Sequence, residues 1–322
     1  MTLRWSYALN AWKGGHDLFV RPEDHEKAFK TLSACGFDAI ALTAGTGRWE
    51  PLGRKDWIET YYGSVGGLQR VLAAAGIHAV SSCAFDPGAM ILEEGAFGRS
   101  VLNPDDHGRI VASMAPYAEL LAELGGDTLV ARGLPAWRAG CTLDAALAAT
   151  VAHCWNAAGR MAAEHGVRLS LAFDGLSQAR SIDDIARLLD ACDPACVGLS
   201  IDTADAVIAG IDPLALHTRL RERLWHVQLK NTRHWDALAE YQQPGAERTL
   251  LAGGGAREIA RWYCELGDPH GLVDVKGFCQ QLLDSGYSGW TVVDCPHSPL
   301  AAESALLNGW YVQNVLAALE PV

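Results

Sequence analysis

The sequence lacks the usual marks of secreted, membrane and nucleic-acid-binding proteins. Its nine cysteines are odd in number and include no CxxC pair, so we expect neither a disulfide framework nor a zinc knuckle. No run approaches the roughly 18 apolar residues of a membrane span, and the start has no apolar leader segment. Acidic residues outnumber basic ones, 38 to 26, which disfavours binding to nucleic acid or to anionic membranes. A cytoplasmic protein that acts on a small molecule is expected.

Two nucleotide-binding fingerprints are also missing. No G-x-G-x-x-G turn follows the first predicted strand, and no G-x-x-x-x-G-K-[ST] loop occurs anywhere. An open dinucleotide-binding sheet is therefore disfavoured. Association into a homo-oligomer is left open.

What the chain does contain is a regular alternation of amphipathic helices and short apolar strands. Glycine often separates a helix from the next strand, as at Gly36, Gly76 and Gly125. Eight such strands in 322 residues, with 49% hydrophobic residues, predict one α/β domain over 1–322, a single (β/α)8 TIM barrel. Helix starts are predicted at Pro22, Pro104, Ser181 with Asp184, and Pro213.

The segment 231–274 is longer than an ordinary strand-to-helix connection. It contains the run Gly253–Gly255, and a short helix is predicted near 257–265. One interpretation is a lid or specificity insertion in an enlarged loop between strands 7 and 8, and the other is a surface excursion.

Polar residues close four predicted strands in the second half of the chain: Asp174, Asp202, Gln228 and Asp294. A parallel barrel gathers the C-terminal ends of its strands on one face, so these residues should lie together there. A single aspartate after a strand also often caps the next helix, which is how we interpret Asp205. Four such residues in register favour an active site.

Four short motifs between residues 166 and 310 follow one another in a distinctive order. They are Asp202–Asp205, His226–Asn231, Asp274–Phe278 and Gly286–Trp290. In this order they resemble the xylose isomerase-like barrel superfamily, which includes sugar phosphate isomerases and epimerases, inosose dehydratases and 3-dehydroshikimate dehydratases. The resemblance implies one divalent ion held by Glu, Asp, His and Glu from the last four strands.

The matching positions here are Ala172, Asp202, Gln228 and Asp294, of which only Asp202 is the usual residue. The ligand set is therefore depleted. Asp202, Gln228 and Asp294 keep the oxygen donors that a hard ion accepts, so Mn, Mg or Zn stays an open expectation, with a metal-free site favoured.

The loss of a carboxylate at Ala172 argues against a symmetric two-carboxylate epimerisation. One-base chemistry remains, with Asp294 as the expected base, Asp202 positioning it or the metal, and Asp174 and Lys230 as further acid or electrostatic groups. A salt bridge to a neighbouring aspartate is an equal interpretation of Lys230. Further residues are assigned to substrate contact, although His226 is also interpreted as a core histidine and the loop histidines as surface. They are His226, Trp12, Trp49, Trp137, His270 and His297.

The resemblance thus implies a sugar- or cyclitol-directed isomerase or lyase that removes a proton alpha to a carbonyl on a polyhydroxylated substrate. Two alternatives stay open. One is a metal-independent natural-product tailoring enzyme on the same barrel, and the other is a non-catalytic binding or partner subunit.

Overall fold

The computed structural model describes residues 2–13, 21–44, 51–88, 99–247, 263–296 and 298–321. The strands are β1 Arg4–Ala8, β2 Ala39–Thr43, β3 Ala79–Phe85, β4 Thr128–Arg132, β5 Arg168–Ala172, β6 Val197–Asp202, β7 Leu224–Leu229, β8 Asn231–Thr232, β9 Tyr263–Cys264 and β10 Trp290–Val293. Eight of them are parallel and close into a barrel in the order β1 to β7 followed by β10. The other two, β8 and β9, form an antiparallel pair outside the barrel. The predicted TIM barrel is confirmed.

Helices surround the barrel. In the described ranges they are α1 Pro22–Ala34, α2 Lys55–Tyr62, α3 Val65–Ala74, α4 His107–Glu123, α5 Ala145–Glu164, α6 Ile182–Ala191, α7 Thr203–Ile208, α8 Pro213–Leu220, α9 Val275–Asp284 and α10 Ala301–Tyr311. Among these, none has the length and apolar character that a membrane span requires.

Local signals set three of the predicted helix starts. Pro22 and Pro213 are the first residues of α1 and α8, where the missing N–H costs nothing. The Ser181 Oγ accepts a hydrogen bond from the Asp184 N–H and caps α6. Pro104 instead begins a short 3-10 turn, and α4 follows at His107.

The barrel interior contains a polar layer among its aliphatic side chains. Ser6 and Ser81 exchange a 2.7 Å hydrogen bond, and His226 contacts Ser200 at 2.9 Å and Ser82 at 3.1 Å. These groups are buried and paired, as polar groups in a dry interior must be. The layer forms part of the floor below the ends of the strands.

Segment 231–274 contributes a short two-stranded sheet. Asn231–Thr232 pairs with Tyr263–Cys264, so the helix predicted over 257–265 is wrong at Tyr263 and Cys264, which are extended. Strand pairing overrides the local pattern there. Residues 257–262 and the run Gly253–Gly255 lie outside the described ranges.

Candidate active site

One buried cation lies between the ends of the barrel strands. Lys230 directly follows β7, and its Nζ lies 2.8 Å from Asp202 Oδ2, 3.1 Å from Asp294 Oδ2 and 3.7 Å from Asp205 Oδ2. None of these four side chains is more than 12% exposed. We call them the Lys230 cluster. Three carboxylates surround one ammonium at the C-terminal end of the barrel.

Asp294 is the most enclosed member of the cluster. It follows the last residue of β10, and its side chain is 0% exposed. Its Oδ2 atom accepts a 3.0 Å hydrogen bond from Asn10 Nδ2 and also contacts Lys230, whereas its Oδ1 atom is buried and has no hydrogen-bond partner within the described part of the chain. Oδ2 is therefore held in place by two contacts, whereas Oδ1 is held by none among the described residues.

Asp202 both caps a helix and contacts the cation. It ends β6, and its Oδ1 atom accepts a 3.0 Å hydrogen bond from the Asp205 N–H at the start of α7, which leaves Oδ2 for Lys230. The preferred interpretation of Asp205 as a helix cap is wrong, because Asp202 caps α7. The Asp205 Oδ1 atom accepts a 2.9 Å hydrogen bond from the Tyr263 hydroxyl, which ties β9 of the insertion to the cluster.

Burial and charge act against each other in this cluster. Burial lowers the pKa of Lys230, but the three carboxylates outweigh it and raise that pKa well above its usual range. Burial first, and Asp205 second, raise the pKa of Asp202 well above its usual range despite the opposing effect of Lys230. The amine is therefore held as an ammonium.

A second cation lies at the end of β4. The Arg132 guanidinium contacts Asp174 at 2.5 Å, Glu247 at 2.6 Å and Asp86 at 3.4 Å. Asp174 is 30% exposed at its side chain, and its other oxygen accepts from the Leu176 N–H at 2.8 Å. Burial raises the pKa of the Asp174 carboxyl, against the lowering effect of Arg132. Asp174 belongs to this Arg132 cluster and makes no described contact with Lys230.

His226 and Gln228 occupy positions below Lys230. His226 is 1% exposed, and both ring nitrogens contact serine hydroxyls, so the structure gives it a core role and not the predicted substrate contact. Burial lowers the pKa of His226 to about 3, and the ring is neutral. Gln228 is partly exposed near the end of β7.

The remaining predicted substrate contacts are scattered. Trp12 follows β1 and packs edge-on against Tyr7, with ring centroids 5.9 Å apart. Trp137 is partly buried, and its backbone N–H donates to the Leu176 carbonyl oxygen. His270 is exposed, and its backbone N–H donates to Asp268 Oδ1 at 2.8 Å. Trp49 and His297 lie outside the described residues.

The site does not fit the divalent ion that the sequence left open. Ala172 offers no donor atom, and Lys230 places an ammonium between Asp202 and Asp294, two of the three predicted ligands. A dication at hydrogen-bond distance from that ammonium is strongly repelled in a buried site. Over the described ranges, no group of three or more His, Cys, Asp or Glu side chains is arranged to hold a metal.

Five contributors to the site were not expected from the sequence. They are Asn10, Asp86, Arg132, Glu247 and Tyr263. Asn10, Asp86 and Arg132 follow or close strands β1, β3 and β4, so the strand-end argument applied to the first half of the chain identifies them. Glu247 and Tyr263 come from the insertion, and nothing in their local sequence marks them.

Comparisons with known proteins agree with this architecture. A family model described as a xylose isomerase-like TIM barrel matches residues 29–310. An inosose dehydratase from Lacticaseibacillus casei is 31% identical over 121 residues. That match spans 37% of this chain and 37% of the relative, so well under two thirds of the relative's length is covered.

Solved structures match over nearly the whole chain at low identity. The probable 3-DHS dehydratase AsbF from Bacillus anthracis has a TM-score of 0.71 and 12% identity, covering 97% of this chain and all of its own, 100%. A xylose isomerase-like barrel from Mycobacterium smegmatis, in complex with magnesium, has a TM-score of 0.64 and 18% identity, covering 98% and 97%. These likenesses establish the fold.

Proposed function

The chain belongs to the xylose isomerase-like TIM barrel family, and on that premise we propose that it is a sugar- or cyclitol-directed isomerase or lyase. Its substrate is a polyhydroxylated carbonyl compound. Its first chemical step removes a proton from the carbon next to the carbonyl.

The observation that carries this proposal is the half-anchored carboxylate of Asp294. Oδ2 is fixed by Asn10 and Lys230, while Oδ1 is buried and unpartnered among the described groups. Leaving a buried carboxylate oxygen unpaired is costly, and a catalytic role is one of the recognised reasons for such a group in a native protein. A fixed carboxylate with one free oxygen is suited to accept a proton from carbon.

The proposed step conserves atoms and charge. The substrate C–H bond breaks, its proton passes to Asp294 Oδ1, and the electron pair moves toward the carbonyl to form an enolate. In an isomerase the hydroxyl proton on that carbon passes to the former carbonyl oxygen, and the proton on Asp294 is returned to the former carbonyl carbon. In a lyase a hydroxyl on the next carbon leaves and takes up the proton to become water.

A single base is what the geometry supports. Ala172 leaves no carboxylate at the end of β5, and Asp174 two residues later is engaged by Arg132. A partner base on the opposite side of the substrate carbon is therefore missing from the described residues. Enolisation followed by isomerisation or elimination fits one base better than a symmetric epimerisation.

The names of the similar proteins support the substrate class. An inosose dehydratase and a probable 3-DHS dehydratase both have names that denote removal of water, and the former also names a keto-cyclitol. A keto-cyclitol or a related hydroxylated ring is accordingly the first class to test. The cytoplasmic location, the small-molecule partner, the lid role of 231–274 and a homo-oligomeric state stay predictions.

The test is hydrogen exchange on a small substrate panel. The protein is incubated in D2O with a keto-inositol, a ketohexose and 3-dehydroshikimate, and proton NMR follows loss of the signal alpha to the carbonyl. We expect exchange or turnover of at least one compound, abolished by Asp294→Asn and retained by Asp183→Asn, a change to an exposed aspartate on α6.

The same experiment decides the non-catalytic alternative. Line broadening of a panel compound without any exchange, unchanged by Asp294→Asn, supports a binding subunit and overturns the enzyme proposal.

A further inference from the structure

We propose that Lys230 is a catalytic residue that supplies, from the chain itself, the positive charge that the enolate oxygen requires, so that the reaction needs no divalent ion. This inference rests on the proposed function for its chemistry. The position of the ammonium, between two of the residues that would otherwise bind a metal ion, can be tested without any substrate.

The hydrogen-bond capacity of Lys230 leaves room for a substrate oxygen. An ammonium has three N–H donors. Asp202 at 2.8 Å and Asp294 at 3.1 Å take two of them, while Asp205 at 3.7 Å lies beyond ordinary hydrogen-bond distance. One donor therefore remains for the carbonyl oxygen.

The position of Lys230 matches the demands of the step. Its contact with Asp294 places the cation beside the base, so a substrate whose carbonyl oxygen contacts Nζ would present the C–H bond next to that carbonyl to Asp294. A cation fixed before the reaction stabilises developing negative charge most strongly where water is excluded. Lys230 is 7% exposed, which meets that condition.

A different role for a buried lysine, attack on the carbonyl to form a Schiff base, does not suit this environment. That attack needs a neutral amine. Three surrounding carboxylates hold the Lys230 amine in its charged form, which cannot attack carbon. The C–N bond is not formed, and the lysine acts through its N–H group.

The Lys230 ammonium occupies the place among the three carboxylates that a metal ion would otherwise take. With Lys230 present, its charge offsets part of the negative charge of Asp202, Asp205 and Asp294. The three carboxylates are not arranged as a metal site in the structure, where the ammonium lies among them. With a neutral side chain in its place, they and the Gln228 amide would be oxygen donors, of the type that Mn²⁺ accepts, with no cation among them. The proposal therefore predicts that loss of the ammonium creates a metal site.

The experiment is a titration of MnCl2 into the purified, chelator-treated protein, followed by calorimetry and by electron paramagnetic resonance of free Mn²⁺. Wild type, Lys230→Met and the exposed control Lys276→Met are compared. We expect Lys230→Met to bind one Mn²⁺ at least about tenfold more tightly than wild type or the control. Adding Asp202→Asn to Lys230→Met should abolish the gain.

Equal Mn²⁺ affinity of wild type and Lys230→Met overturns the proposal, whether both bind or neither binds. If Lys230→Met does not fold, an exchange assay on the wild-type protein tests the same proposal.

The rate of alpha-hydrogen exchange should change by less than about twofold after EDTA treatment. A loss of more than about tenfold that Mn²⁺ restores would overturn the proposal. Absence of exchange on every compound contradicts the proposed function. The Mn²⁺ titration still decides whether Lys230 takes the place of a metal ion.

Discussion

The ammonium of Lys230 lies 3.1 Å from the Oδ2 atom of Asp294, so the proposed cation and the proposed base are in direct contact. The two residues follow neighbouring strands, β7 and β10, which pair in register from Trp290 with His226 to Val293 with Leu229. Strand pairing therefore fixes their separation. We therefore expect the two residues to act as one unit, so that changes to either affect the function of both.

The first prediction concerns this unit. Lys230→Met and Asp294→Asn should each lower kcat by about 10²- to 10⁴-fold, the range typical of acid–base and electrostatic groups. The double variant should be little slower than the slower single variant, because residues that act together are not additive. Steady-state kinetics of the four proteins measures the coupling. Multiplicative losses would show that the residues act independently.

The second prediction concerns Asn10. Asn10→Leu keeps the shape but removes the 3.0 Å hydrogen bond to Asp294 Oδ2, so the base loses part of its orientation. We expect kcat to fall by about tenfold with KM nearly unchanged, because a positioning residue acts on the transition state. The reverse pattern, a raised KM with kcat intact, would instead assign Asn10 to substrate binding.

The fold could be predicted from the sequence because its signals are local and repeated. Glycine breaks, apolar strands and proline or serine helix starts recur along the chain, and Pro22, Ser181 and Pro213 act in the structure as those signals predict. Strand order then follows from the barrel itself, since consecutive parallel strands neighbour one another.

The site was only partly accessible to the same reasoning. Strand ends predicted that Asp174, Asp202, Gln228 and Asp294 lie together. Asp202 and Asp294 meet at Lys230, whereas Asp174 contacts Arg132. The sequence left open a salt bridge from Lys230 to a neighbouring aspartate, but it could not show that the lysine would stand between two carboxylates, because that depends on a side-chain direction. It also could not show that Tyr263 folds back onto Asp205, since this contact joins residues 58 positions apart through a nonlocal strand pair.

The third prediction is a pH dependence of stability from His226. Burial holds the pKa of the folded state at about 3, whereas an unfolded histidine titrates near about 6.5. As the pH falls below about 6.5, only the unfolded chain takes up the proton, so this contribution to stability is full above that pH and is lost toward pH 3. Between pH 7 and 5 it should cost roughly 2 kcal/mol.

Urea unfolding of wild type, His226→Gln and His78→Gln at both pH values tests this assignment. The His226 variant should lose roughly 2 kcal/mol less on acidification than wild type, whatever its stability at pH 7. The exposed His78 serves as the control and should leave the wild-type dependence intact. An unchanged dependence in His226→Gln would place the acid sensitivity elsewhere.

The fourth prediction links the insertion to the site. Tyr263→Phe removes the 2.9 Å hydrogen bond to Asp205 but keeps the ring whose centroid lies 5.2 Å from Lys230 Nζ. We expect the free energy of unfolding to fall by about 2 kcal/mol, as for hydrogen bonds to charged groups. If segment 231–274 is a lid, KM should also rise. Tyr61→Phe, at a partly exposed ring on α2, should change neither quantity.

The most direct measurement is the rate of alpha-hydrogen exchange into D2O for the best panel compound, with wild type and Asp294→Asn at equal concentration. The account predicts exchange by wild type at least about 100-fold above the rate of the variant, because Asp294 is the single base. Equal exchange rates in the two proteins, with both folded by circular dichroism, would contradict it.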